Sequence, residues 1–184
     1  MRQQKLRHKS THRGLSLIEL LVVIALIGII SIFAYPKIET WLTTKEIEKE
    51  VYQIVDTIKK TQTELQTGNK AMYIMKIEGG RFKTLNGYYR SQSQYKQNQE
   101  CNTALSWTKD NSISYQFTEL LNYQTRDNNF CLKKRGEIMH QDTRTTVTIN
   151  LTSPFIDNLT YQIFIEQSGL ITLTKNYKGN STQL

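Results

Sequence analysis

A chain of 184 residues, 38% hydrophobic and 22% charged, has room for one globular domain of ordinary size with a buried core besides a membrane segment. Its formal charge of +8 is not a nucleic-acid signal. Arg2, Lys5, Arg7, Lys9 and Arg13 fall in the first 14 residues with no acid among them, and the rest carries 19 basic against 16 acidic side chains.

Residues 1–14 are polar, basic and without periodicity, which predicts no regular structure. His8 and His12 have the i,i+4 spacing of a metal pair, but they lie in this leader. Beyond it His140 is the single histidine, and no phosphate loop, zinc spacing or paired-carboxylate signature occurs. The sequence therefore predicts no enzymatic activity, no metal and no cofactor.

From Leu15 to Tyr35 run 21 residues with one ionisable side chain, Glu19, and 14 of them are Leu, Ile, Val or Phe. As a helix this run is roughly 32 Å long, enough to cross a bilayer. Its apolar residues contribute about −6 kcal/mol to insertion, against a cost of about 3 kcal/mol for Glu19 even at the bilayer centre. The basic leader keeps the N-terminus cytoplasmic and sends the remainder out. A secretory signal has a shorter apolar region ending in small residues, which Ile32-Phe33-Ala34 does not supply, and it gives no reason for Glu19. An unprocessed signal anchor is the stronger alternative.

The order of basic leader, glycine, LSLIELLVVIALIGII and a fixed acid offset resembles the prepilin processing site of type IV pilins and type II secretion pseudopilins. The resemblance implies cleavage after Gly14 by a prepilin peptidase and methylation of the new terminal amine on Leu15. It also makes Glu19 the fifth mature residue, the acid that pairs with the terminal amine of a neighbouring subunit. An amine and a carboxylate buried in lipid are each costly alone, and docking on a neighbour offsets both costs. Leu15 stands where the family most often has Phe, and Ser16 where Thr is frequent. Gly28 and Pro36 fall where many pilins carry helix-loosening residues.

After Pro36 the apolar residues Ile47, Val51, Ile54, Val55, Ile58 and Leu65 recur within a stripe about 100° wide, predicting a helix over 37–66 that lays one face on a core. Ile38, Trp41 and Leu42 lie off that stripe, and so face lipid headgroups or neighbouring subunits. Thr43 and Glu46 have capping-box spacing, so a kink or restart between Pro36 and Thr43 is allowed. Thr67-Gly68-Asn69 supplies the stop.

Beyond Gly68 the period becomes that of strands, predicting a sheet over 71–175. Ala71–Glu78 and Arg81–Leu85 flank Gly79-Gly80 as a hairpin, and Asn86-Gly87 reads as a second turn. Ser91–Gln99 reads as an exposed loop. Ile113, Tyr115 and Phe117 alternate, although Tyr115–Asn122 is equally compatible with a helical turn or two. Strands follow at Phe130–Lys133 and around Val147, Ile149 and Leu151. A closing hairpin, Leu159–Glu166 and Leu170–Thr174, turns at Ser168-Gly169. His140 is expected in an exposed loop. On the exported side of a membrane the two cysteines, Cys101 and Cys131, most simply form one disulfide, with two unpaired thiols as the alternative. Lys133-Lys134-Arg135 is either a solvated loop or a phosphate-contacting patch for DNA. The sequons Asn150-Leu151-Thr152, Asn158-Leu159-Thr160 and Asn180-Ser181-Thr182 carry no assigned role.

The expected fold is thus α+β: a long N-terminal helix, half transmembrane and half amphipathic, packed on an antiparallel sheet. Its divisions are a leader (1–14), a transmembrane and assembly segment (15–36) and an exported domain (37–184). The family resemblance implies a pilin-like fold and a filament subunit, most like a minor pilin or minor pseudopilin. The implied partners are other pilin or pseudopilin subunits, the prepilin peptidase and an inner-membrane assembly platform. The precursor would sit in a bacterial inner membrane, and the processed chain in a periplasmic or extracellular filament. A tip pilin that binds DNA or another ligand, and a single-pass anchored domain, are the alternative functions.

Overall fold

A computed structural model of the chain describes residues 16–184 except 69, 80–82, 126–127, 135 and 141–142, with the backbone alone at 33, 34, 36, 140, 143 and 144. It divides into two units, Met1–Leu42 and Thr43–Leu184. In the first, the only regular element among the described residues is the beginning of α1 (Leu17–Thr67). Every described side chain there is exposed. The helix divides at 33–36 into the pieces Leu17–Ile32 and Lys37–Thr67. Pro36 has no N–H to offer the carbonyl of Ile32, so the break falls where a hydrogen bond cannot form. The kink or restart allowed between Pro36 and Thr43 thus falls at the Pro36 end of that interval, and Thr43 lies inside α1 rather than at its cap.

In the second unit the remainder of α1 buries the expected stripe: Ile47, Val51, Ile54, Val55, Ile58 and Leu65 are all 5% exposed or less. Those six side chains contribute on the order of 10 kcal/mol of hydrophobic stabilisation before conformational entropy is charged against it. They pack on two antiparallel sheets, not on the single sheet expected. The first is six-stranded. It is built from β1 (Lys70–Glu78), β2 (Thr84–Ser91), β3 (Thr108–Gln116), β5 (Asn129–Lys133), β6 (Ile138–His140) and β7 (Thr143–Arg144), in the order β3-β2-β1-β5-β6-β7. The second holds β4 (Asn122–Thr125), β8 (Val147–Thr152), β9 (Leu159–Ile165), β10 (Ile171–Tyr177) and β11 (Asn180–Gln183), in the order β11-β10-β9-β8-β4. Tyr73, Met75 and Leu85 of the first sheet and Ile149, Tyr161 and Ile163 of the second share one core with α1.

β1 and β2 pair antiparallel as the expected hairpin, Glu78 opposite Thr84, and β9 and β10 pair as the closing one, Ile165 opposite Ile171. The alternating run from Ile113 resolves as strand, not helix, up to Gln116. A further strand, β11, extends the sheet beyond residue 175. Lys178 and Gly179 both have positive φ, 50° and 83°, the geometry of a two-residue hairpin turn. A lysine in the first of those positions carries none of the Asn or Asp signal that marks such turns in a sequence.

Three local expectations are corrected. Asn86-Gly87 is not a turn but the interior of β2, at a bulge where the partner register jumps from Ser114 to Asp110. The glycine is there for close approach: a Cβ at Gly87 would lie 2.4 Å from Ile113 Cγ2 and 2.8 Å from its Cβ. Ile113 is fully buried and has no space to yield. Gly87→Ala is therefore expected to cost about 2 to 3 kcal/mol, measured by chemical denaturation, with Gly28→Ala as a control where no atom lies within 4 Å. Ser91–Gln99 is exposed but is not a loop, because α2 (Gln92–Gln97) forms on a capping box between Ser91 and Gln94. His140 closes β6 opposite Thr143 and is not in a loop.

Candidate processing and assembly segment

The first turn of α1 holds Glu19, which is exposed, as the helix opens with Leu20 N–H donating to the Ser16 carbonyl at 3.1 Å. A carboxylate in a first helical turn is favoured by the helix dipole. Around and beyond it lie Leu17, Ile18, Leu20, Leu21, Val22 and Val23, each 46% exposed or more. The same exposure continues through Ile32. A helix that is apolar on all sides and uncovered has to be covered by lipid or by other helices. Ser31 Oγ donates to the Ile27 carbonyl at 2.7 Å, next to Gly28, a side-chain bond that locally loosens helices. Gly14 and Leu15 lie outside the described residues.

Among the described residues no single helix is long and apolar enough to cross a membrane. The pieces Leu17–Ile32 and Lys37–Thr67 meet that requirement only together, by length and composition. The expected span of 15–36 begins at a residue outside the described ones, and its other end coincides with the break at 33–36. Ile38, Trp41 and Leu42, the residues predicted to lie off the core stripe, are all exposed, as is Tyr35.

In the second unit Cys101 and Cys131 are joined, 5.9 Å apart at Cα. The bridge belongs to a second small core with Met72, Ile74 and Met139, on the face of β1 opposite α1. Arg90 helps to hold the covering segment down: its guanidinium donates to the Gln94 and Asn98 carbonyls at 2.7 and 2.6 Å and lies over the Trp107 ring. This is why β1 reads as a nearly continuous apolar run, since both its faces are buried.

The basic run is divided. Lys133 ends β5 with its Nζ over the Tyr95 ring at 5.9 Å, Lys134 is exposed in the following turn, and Arg135 lies outside the described residues. Glu137 lines the same shallow cleft as Lys133 and Lys134, which lowers the positive potential there.

The sequence did not single out the buried and half-buried polar residues that join the elements of the second unit. Glu50, 3% exposed, accepts from the Thr118 N–H at 2.7 Å and from its hydroxyl at 2.5 Å. Glu48 accepts from Lys45 and Lys175 at 2.7 and 2.6 Å. Asp110 accepts from Lys70 and from the Tyr73 hydroxyl, both at 2.6 Å, and from the Ser112 N–H and hydroxyl. Burial acts to raise the Asp110 carboxyl, but the hydrogen bonds from Lys70, Tyr73 and Ser112 outweigh it and hold the group well below the ordinary carboxylate range. A carboxyl depressed in the folded state stabilises fully above its unfolded pKa and loses that contribution as pH falls toward the folded one. Asp110→Asn should accordingly destabilise by about 2 kcal/mol at neutral pH. Below about pH 4 the gap to the wild type should narrow, as read from urea midpoints across a pH series.

The family model for the prokaryotic N-terminal methylation motif matches residues 9–35. Neither a curated protein nor a solved structure matches the chain.

Proposed function

We propose that this chain, a bearer of the type IV prepilin signature, is a structural subunit of a type IV pilus or type II secretion filament, of the minor pilin or pseudopilin kind. In this reading the membrane-inserted precursor is cut between Gly14 and Leu15, methylated on Leu15, and drawn from the membrane into a filament. The observation that carries it is the coincidence of the matched motif with a helix that is apolar on all sides, uncovered, and marked by one carboxylate in its first turn. In the filament, neighbouring helices replace lipid around Leu17–Ile32, and the amine of Leu15 meets Glu19 of an adjacent subunit. The second unit is the exported domain, and the subunit acts through assembly rather than through a chemical reaction.

Mass spectrometry of the native N-terminus tests the first step. A chain beginning at methylated Leu15 is expected. A protein that keeps Met1–Gly14 throughout its working life creates no amine for Glu19, and would instead be an anchored domain.

A further inference from the structure

Among the described residues, the outward face of the five-stranded sheet carries no charge. Through the paired registers its central row reads Gln183, Thr174, Gln162, Asn150, Gln124 across the strands. The row beside it reads Ser181, Asn176, Thr160, Thr152, Asn122. On the other side Phe164 stands between Thr172 and Thr148. All these side chains are half-buried or exposed, whereas the residues alternating with them on β8 and β9 belong to the core. In a chain that is 22% charged, a solvent face whose described residues are Thr, Asn, Gln and Ser with one aromatic, and not one Lys, Arg, Asp or Glu among them, is selective in its chemistry.

That chemistry excludes several partners. Nucleic acid needs lysine and arginine for its phosphates, and none is present among the described residues of the face. A lipid surface needs a broad apolar face. A protein partner is anchored by buried aromatics and arginine, and the face offers only Phe164, 38% exposed. What it offers instead is a grid of groups that both donate and accept, about 4.8 Å apart between strands and about 7 Å apart along them. Three side chains are engaged within the face: Thr152 Oγ1 donates to the Asn122 carbonyl, and Ser181 Oγ donates to Asn176 Oδ1. At the centre of the grid Asn150 Oδ1 has no hydrogen-bond partner among the described residues.

We propose that this face binds a neutral polysaccharide, whose hydroxyls pair with the amides of Gln162, Asn150 and Gln183 and the flanking threonines while a sugar ring lies against Phe164. A hydroxyl-rich uncharged polymer matches the face in polarity, in charge and in its need for groups of both hydrogen-bonding senses. The assignment stands on the second unit alone and is independent of filament assembly.

The test is co-sedimentation of the detergent-solubilised full chain with insoluble cellulose, chitin and starch, beside a sulfated polysaccharide and duplex DNA as charged comparisons. Retention on at least one neutral polymer is expected, with about tenfold or greater weakening by Asn150→Asp combined with Gln162→Glu, which change the charge and scarcely the shape. Circular dichroism checks the fold. Should the double variant not fold, Gln162→Glu alone, at an exposed position, is expected to weaken retention. The proposal is overturned by the absence of retention on all three neutral polymers, by retention equal in the folded variants, or by preferential retention on the charged polymers. It is also overturned if the variants alter self-association of the chain, measured by sedimentation velocity, which would make a second copy the occupant.

Discussion

Glu19→Ala is expected to leave membrane insertion intact while abolishing incorporation into filaments. The two outcomes separate because they draw on different energies. Insertion rests on the apolar run, and removing a carboxylate worth up to about 3 kcal/mol against it can only help. Incorporation rests on pairing an amine that is costly to bury alone. Deleting one partner of such a pair costs about 3 to 5 kcal/mol, more than a hundredfold in association. Immunoblotting the membrane fraction against a sheared filament fraction reads both quantities from one culture. Glu19→Asp, which keeps the charge on a shorter arm, should recover part of the incorporation, and Glu19→Gln little of it. Full incorporation of the alanine variant would defeat the pairing, whatever the N-terminus proves to be.

Replacing both Cys101 and Cys131 by serine is expected to produce the largest loss of stability in the second unit. The bridge closes a separation of 30 residues, which on the chain-entropy model contributes about 3 to 4 kcal/mol. Its sulfurs also fill the small core with Met72, Ile74 and Met139, and two hydroxyls there would be poorly matched to their surroundings. For a unit of this size the combined loss corresponds to a fall of about 10 °C or more in Tm. Because Cys101 and Cys131 are 4% and 0% exposed, a mild reductant should act slowly on the native protein and quickly in denaturant. A double serine variant that melts within about 2 °C of the wild type would show that the covering segment is held by Arg90 and α2 without the bridge.

Several elements could be read directly from residues. The helical stripe from Ile47 to Leu65 was visible because its spacing is periodic and one face is buried, and the same holds for Val147, Ile149 and Leu151 in β8. The disulfide followed from the parity of cysteines and the expected compartment. Glu19 stood out because a lone acid in an apolar run has no local explanation. Asn86-Gly87 misled for a physical reason: a glycine that permits a turn is also the residue that lets Ile113 approach a strand. Gln92–Gln97 misled because amide-rich composition describes exposure and not conformation, and its short helix is held from outside by a cap and by Arg90.

By itself the sequence determined that a long helix precedes the strands, which residues of α1 and β8 face the core, and the uncovered apolar segment with its single acid, since each is a local pattern of period or composition. Only the tertiary structure decided that the strands divide into two sheets, that Lys70, Tyr73 and Asp110 meet, and that Thr, Asn, Gln and Ser from five strands share one uncharged face. Those facts depend on register between segments far apart in the chain, and a shift of one residue would turn each such side chain to the opposite side of its sheet.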